Sequence, residues 1–354
     1  MMIAVHRPSC QKPIGPVSSL HLSEKFTPAQ VTRRSEYSVN SLYRYTVYGL
    51  VVAVDEPMQS LQPVTGSERE PDITVSVVGA DYFCSIVPHE IPKAQADHWV
   101  AYTLLEDGSV HLKAEGVFEV IVSGDGRTVA CASLGSVDRR TFEANLMNFV
   151  FATSLTLQGE EPLHSTVVDL GGQAIGLLGP SGAGKSTLAA YLISRGADLV
   201  TDDLLRVEFT GDSLIAHAGP YRLKLLDEPG RRFLPGALAD GHFNSLSEKT
   251  MVKPRAAGRQ RSAPLPLAAL YYIGDLSGRP ASQEVTAFRL AGLELAKVVL
   301  SSAMDDRYTP PARLARQMAF VARLTRCLPI YAIRYPRRFD VMDQVAAHIC
   351  RPVS

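Results

Sequence analysis

Between Tyr43 and about Ser133, apolar and polar residues alternate in short runs, YRYTVYGLVVAV, DITVSVV, HWVAYTLL, SVHLKAEGVFEVIV and TVACAS. Such β-branched and aromatic runs predict strands. Turn chemistry separates them at Glu106-Asp107-Gly108 and Ser123-Gly124-Asp125-Gly126. The period then changes. Phe142, Leu146, Phe149, Val150 and Leu155 recur at helical spacing within Asp138–Leu157, predicting a helix that leads into the second half. There, His164–Leu170 and Gln173–Leu178 flank Gly171-Gly172, the signal for a two-residue hairpin. A helix over Lys185–Arg195, stopped by Gly196, is followed by an extended segment, Asp198–Asp202. Further strands are predicted at Leu204–Phe209, Ser213–Ala218, Ala268–Ile273 and Ile330–Arg334, and helices at Leu290–Leu300, Pro311–Cys327 and Val341–Ile349. Pro229–Arg261, rich in Gly, Pro and basic residues, reads as a loop.

The alternation of strands with helices predicts an α/β second half, residues 138–354, preceded by a smaller β-rich domain, residues 41–137. Residues 1–40, with Pro8, Pro13, Gly15, Pro16 and Pro28 and no sustained period, are expected to be a flexible tail.

Composition narrows the function classes. Lys+Arg and Asp+Glu are both 36 in 354 residues, so no net field recruits nucleic acid or an anionic membrane. Cys10, Cys84, Cys131, Cys327 and Cys350 are scattered without a C-x-x-C, so neither a zinc site nor a disulfide framework is expected. No run of 18 apolar residues and no secretory h-region is present, and a cytoplasmic location is expected. Trp99, the single tryptophan, reads as a core or interface residue.

The chemistry concentrates after the hairpin. Gly179-Pro-Ser-Gly-Ala-Gly184-Lys185-Ser186-Thr187 matches G-x-x-x-x-G-K-[ST], the phosphate-cradling P-loop, in the required order of strand, glycine turn and helix. Gly179, Ser181, Gly182, Ala183, Gly184, Lys185, Ser186 and Thr187 are therefore the candidate nucleotide site. Backbone N–H groups of Gly182, Gly184 and Lys185 face an anion at a helix N-terminus, Lys185 adds charge on the outer phosphates, and Ser186 is placed to ligate Mg²⁺.

Geometry brings two neighbours to this loop. A helix over Lys185–Arg195 rises about 16 Å at 1.5 Å per residue. The extended segment after it returns about as far, so Asp202 and Asp203 come back beside the loop, at the carboxyl end of what reads as a parallel strand. In the hairpin, pairing Leu170 with Gln173 puts Asp169 opposite Ala174 and His164 opposite Gly179. Phosphoryl transfer needs one carboxylate to hold Mg²⁺ and another to orient and deprotonate the attacking hydroxyl. In a strand the two aspartates point to opposite faces, which would divide those roles. Arg222 is placed either near phosphates or against a carboxylate, and Lys249 and Lys253 carry less signal. Leu225-Leu226-Asp227-Glu228 and Leu276-Ser277-Gly278 imitate pieces of transporter ATPases, but in the reverse order.

His164, the hairpin feeding GPSGAGKST and the returning Asp202-Asp203 pair resemble the HPr kinase/phosphorylase superfamily, whose nucleotide fold is shared with phosphoenolpyruvate carboxykinase. The β-rich first half, with GVFEV, is similar to HPr-kinase-related proteins of peptide-modifying pathways, lasso-peptide precursor kinases among them. The resemblance implies an α/β fold, a P-loop kinase domain of that type behind a smaller β-rich domain with a role in substrate recruitment. It implies a serine kinase using ATP and Mg²⁺, with Lys185 the phosphate clamp, Ser186 and Asp203 the metal ligands, Asp202 the base and His164 its support. The glutamate-containing signature of true HPr kinases is not found after the D-D pair, which favours the C-terminal serine of a precursor peptide over HPr. The expected partner is a peptide or protein with an acceptor serine, homo-oligomerisation being left open. The competing readings are a nucleotide-switched ATPase or binding protein without a phosphate acceptor, and a kinase of an HPr-like carrier protein.

Overall fold

Seven strands come first: β1 (Tyr43–Val47), β2 (Leu50–Val54), β3 (Ile73–Val77), β4 (Ala101–Leu104), β5 (Val110–Ala114), β6 (Phe118–Val122) and β7 (Thr128–Ser133). The computed structural model describes residues 42–64, 69–87, 99–255, 263–274 and 283–350. The stretch expected as a tail lies outside them. The seven strands form one mixed sheet in the order β1-β2-β3-β7-β6-β5-β4, with the β2–β3 and β3–β7 pairs parallel.

The helical segment that follows is α1 (Arg139–Asn145), a π-turn over Leu146–Val150, and α2 (Phe151–Leu157). Asp138 caps α1 by accepting from the backbone N–H groups of Arg140 and Thr141. The spacing read from sequence is present, but the stripe of Phe142, Leu146, Val150 and Leu155 packs on the first sheet, against residues such as Val52, Ile73, Leu112 and Phe118. Periodicity shows that a helix has an apolar face and does not say which sheet that face meets.

The second half contains β8 (Leu163–Leu170), β9 (Gln173–Leu178), α3 (Lys185–Ser194), β10 (Asp198–Thr201), β11 (Leu204–Leu205), β12 (Val207–Thr210), β13 (Ser213–Ala216) and β14 (Leu223–Leu225). These are followed by α4 (Asp227–Phe233), α5 (Pro235–Ala239), β15 (His242–Asn244), β16 (Lys249–Val252), β17 (Leu265–Ile273) and β18 (Thr286–Arg289). The chain closes with α6 (Gly292–Ser302), α7 (Pro311–Cys327), β19 (Ile330–Arg334) and α8 (Met342–Cys350). Nine strands make the second sheet, whose centre β9-β17-β19 is parallel. Both faces are covered. Ile175 and Leu177 of β9 pack toward α3 and α8, while Ala174 and Leu178 pack toward α6 and α7, the alternation a doubly covered strand requires. Both sheets belong to one unit, Ser41–Ser354.

Two sequence readings are corrected. β10 points the same way as β9, but its hydrogen-bonded neighbour is the antiparallel β8, so it is not a parallel strand in its pairing. Residues 229–255 are not loop but carry most of α4, then α5 and the strands β15 and β16, which form a small sheet with β14. Gly and Pro misled there, because Pro229 sits in the first turn of α4 and Pro235 starts α5, where a missing N–H costs little. Among the described residues no helix is long and apolar enough to cross a membrane.

Candidate functional site

The hairpin register predicted from Gly171-Gly172 is present, from Leu170↔Gln173 through Asp169↔Ala174 to Ser165↔Leu178. β9 then ends in the loop Gly179–Gly184, which turns directly into α3. Gly179 has φ +142°, and a Cβ built there would lie 2.2 Å from the Ile273 carbonyl oxygen of β17. Gly182 and Gly184 are left-handed as well, at φ +77° and +104°. Gly184 is the N-cap of α3, and no side chain caps that helix, so its first N–H groups are left for an anion. Gly179→Ala is expected to unfold the loop from its seat, lowering stability by about 1–3 kcal/mol. Urea unfolding of the variant beside the wild type measures it.

A second pairing brings in the titratable groups. After β10 the chain kinks at Asp202-Asp203 and resumes as β11, whose Leu204 pairs with His164 and Leu205 with Leu163. β8 is therefore flanked by β10 and β11 in turn, and the two aspartates are held in the break between them. Asp203 has φ +71°, a left-handed conformation uncommon outside glycine. The expectation that the two side chains diverge because they lie in a strand thus has a different cause, since a kink separates them.

Their environments differ. Asp202 is buried, accepting at Oδ1 from the Thr166 hydroxyl at 2.7 Å and at Oδ2 from the Lys224 backbone N–H at 2.9 Å. Burial, then the charge of Asp203, raise its pKa. Asp203 faces a cavity of about 120 Å³ that Asp202 does not line. Burial would raise the Asp203 pKa too, but the Lys224 ammonium, 2.6 Å from Oδ2, outweighs that and lowers it. The pair shares protons as a unit, with Asp203 the member that stays ionised.

The same cavity is lined by His164, Ser181, Gly182, Ala183, Gly184, Lys185, Ser186 and Thr187, and closed by Lys224, Leu225, Leu226 and Lys249. Every P-loop residue singled out from sequence except Gly179 lines it, and Gly179 supplies a carbonyl that accepts from Lys185 Nζ at 2.7 Å. Lys185 also reaches the Pro180 carbonyl at 3.1 Å. Burial lowers its pKa, opposed by Asp202 and Asp203. The volume suits the phosphates of a nucleotide, being well below that of a pocket for a whole drug-sized ligand.

Lys224 is the residue that motif reading missed. Its signal was the triplet Leu223-Lys224-Leu225, in which the two leucines are buried and period two turns the lysine to the other face. Lys249 lines the cavity from β16, whereas Lys253 does not. Arg222 donates to the Ala144 carbonyl at 3.3 Å and leaves Nη1 buried with no hydrogen-bond partner among the described residues. Of the transporter-like pieces, Asp227 sits in the first turn of α4 and pairs with Arg231 on the surface, while Leu276–Gly278 falls outside the described residues.

His164 is pushed down to about 4, by burial first and then by Lys185, with Lys224 and Lys249 acting the same way and Asp203 against them. It is therefore neutral near pH 7. A histidine whose folded pKa is depressed lowers stability as pH falls from its unfolded value of about 6.5 to about 4, because the unfolded chain takes up the proton first. The full effect below pH 4 is about 3 kcal/mol. His164→Gln is expected to gain stability relative to wild type across that window, measured as the difference between their urea midpoints at pH 7 and pH 4.5.

The donor set fits a magnesium ion. The Ser186 hydroxyl and the Asp203 carboxylate are hard oxygen donors on one cavity, and magnesium is commonly held by one or two carboxylates plus substrate phosphates. Among the described residues no group of three or more His, Cys, Asp or Glu side chains is arranged to hold a metal alone, and such a mode of binding needs none.

Comparison with known proteins agrees with the resemblance noted in the sequence. The chain is 33% identical over 88 residues to an HPr kinase/phosphorylase of an Exiguobacterium species (25% of this chain, 27% of that protein). It is 34% identical over 112 residues to one from Clostridium beijerinckii (30% and 37%) and 44% over 55 residues to one from Chlorobium limicola (16% and 17%). The matches thus span about a sixth to about a third of the length of these relatives. The Hpr(Ser) kinase/phosphatase structure from Coxiella burnetii aligns with 54% of this chain and 97% of its own at 12% identity and a TM-score of 0.28. No family model matches.

Proposed function

We propose that this HPr kinase-related chain is an ATP- and Mg²⁺-dependent kinase that phosphorylates a serine hydroxyl of a peptide or protein. The observation that carries the reading is the convergence, on one small cavity, of an uncapped glycine cradle, a lysine and a hydroxyl from α3, an ionised aspartate and a neutral histidine. An anion cradle alone fits any nucleotide binder. Asp203 and His164 beside it supply what transfer to a hydroxyl needs.

In this reading Lys185, Lys224, Lys249 and the N–H groups at the start of α3 hold the phosphates. Bound Mg²⁺, held by Ser186 and Asp203, would neutralise charge on them. The acceptor Oγ–H bond breaks, its oxygen forms a bond to the γ-phosphorus, the bond from that phosphorus to the bridging oxygen breaks, and ADP leaves. Asp203 opens on the cavity as the metal ligand, and the neutral imidazole of His164 beside it takes the acceptor proton. Asp202, the base expected from the resemblance, is given a positioning role: it fixes Thr166 of β8 and the backbone of Lys224, and through them the wall that Asp203 and His164 share. The β-rich half recruits the acceptor, and a precursor peptide ending in serine is the acceptor that the resemblance favours, in a cytoplasmic setting.

Intact-mass analysis of candidate precursor peptides after incubation with ATP and Mg²⁺ tests the reading. A gain of one phosphate or more supports it. Hydrolysis of ATP with no labelled peptide or protein would instead mark a nucleotide-switched ATPase. Lys185→Ala is expected to weaken nucleotide binding and to lower the transfer rate by about 10²–10³-fold, followed by a fluorescent ATP analogue and by the same mass assay.

A further inference from the structure

A second cavity, of about 300 Å³, opens on the other side of His164. Trp99 and Phe149 form one wall, their rings 5.3 Å apart and 80° inclined. Trp99 stays half exposed although Phe118 packs on its other side at 6.1 Å. The opposite wall is the segment after α6, where Asp305 and Arg307 line the space.

This wall is built rather than incidental. Arg313, the most deeply buried arginine of α7, donates to the backbone carbonyls of Met304, Asp305 and Tyr308. Met304 in turn donates to the Pro162 carbonyl at 2.9 Å, and Ala303 bridges to Leu163, the residue before His164. Asp305 is thereby fixed at φ +55°. Arg307 stacks 4.8 Å over the Tyr102 ring and donates to the Val100 carbonyl at 2.5 Å, so it is committed to the edge strand β4 and its approach. Two acceptor atoms remain. Thr153 hydrogen-bonds the Asp305 carboxyl group, but Asp305 Oδ2 and Asn148 Oδ1 are both buried with no hydrogen-bond donor among the described residues, a destabilising state that a ligand donor would relieve.

We propose that this cavity holds the acceptor, a peptide segment that lays an apolar side chain on Trp99 and Phe149, offers N–H donors to Asp305 and Asn148, and presents its hydroxyl past His164 to the phosphate cradle. The inference rests on the phosphotransfer reading of that cradle. The chemistry of the walls selects the class. A second nucleotide or another anion would meet Asp305 and Asp306, whereas a peptide combines apolar side chain, N–H donors and hydroxyl in one short segment.

The experiment uses the full chain, ATP–Mg²⁺ and degenerate hexapeptides with one serine, central in one set and C-terminal in another, read by mass spectrometry. Nucleotide affinity is followed separately with a fluorescent ATP analogue. The wild type is expected to select an apolar residue at one position near the serine. Trp99→Ala and Asp305→Asn should each raise KM for the selected peptide about tenfold or more, with kcat changed much less, and Trp99→Phe should restore the selection. Because Trp99 is the only tryptophan, the selected peptide should also shift its emission in the wild type. Unchanged selection and KM in both variants, or emission indifferent to saturating peptide, would overturn the assignment and leave the kinase reading standing. A chain that binds nucleotide yet phosphorylates no hexapeptide overturns the acceptor site alone, while one that binds no nucleotide removes the kinase reading with it.

Discussion

Asp203→Asn is expected to lower phosphoryl transfer by about 10²–10³-fold, the range over which loss of one preorganised charge at a transferring phosphate acts. Asp203 is the member of the pair that faces the cavity, and Lys224 keeps it ionised. The amide keeps the shape and removes the anionic metal ligand. Asp202→Asn is expected to act differently. Its carboxylate accepts from Thr166 and from the Lys224 N–H, and an amide presents one acceptor where two are used, so the wall loosens and Lys224 shifts. The predicted signature is a loss in transfer together with a drop in urea midpoint for Asp202→Asn, against a loss in transfer with the midpoint retained for Asp203→Asn. If Asp203→Asn transfers phosphate at the wild-type rate while Asp202→Asn is inert and fully stable, the two roles are reversed.

The largest effect on stability is expected at Arg313. Its side chain is 1% exposed, pairs with Glu161 at 3.1 Å, itself 2% exposed, and ties down three backbone carbonyls. Arg316 approaches the same Glu161 from one turn further along α7, at 2.8 Å. Arg313→Ala leaves the largely desolvated Glu161 to the half-buried Arg316 alone and frees those carbonyls, so a loss of about 3–5 kcal/mol is expected. Removing both charges of the fully buried pair costs less per residue, because the ion left over is Arg316, which reaches solvent. Arg313→Met with Glu161→Leu should therefore recover part of the loss. Chemical denaturation of the single and double variants measures it, and a single variant within about 0.5 kcal/mol of wild type would show that the pair is not a structural anchor.

Much of the candidate site was legible because its determinants are local. A strand, a glycine turn and a helix in succession place their own backbone groups, and the two-residue turn at Gly171-Gly172 carries the register of β8 on β9 with it. Lys224 was not legible in the same way. It arrives from β14, which pairs with β16 and through it joins β15, both in a stretch where Gly and Pro looked like loop. The second cavity was further from view, since Trp99, Asn148 and Asp305 are distant in sequence and carry no motif.

By itself the sequence determined the alternation of elements, the glycine loop that starts α3 and the nearness of His164 and an aspartate pair to it, since each follows from chain reversals a few residues long. Tertiary structure decided which aspartate opens on the cavity at that loop, that Lys224 stands against it, and which sheet α1 and α2 cover. Those outcomes depend on the kink between β10 and β11 and on side chains meeting across separate sheets, where packing and buried charge, rather than local periodicity, select the arrangement.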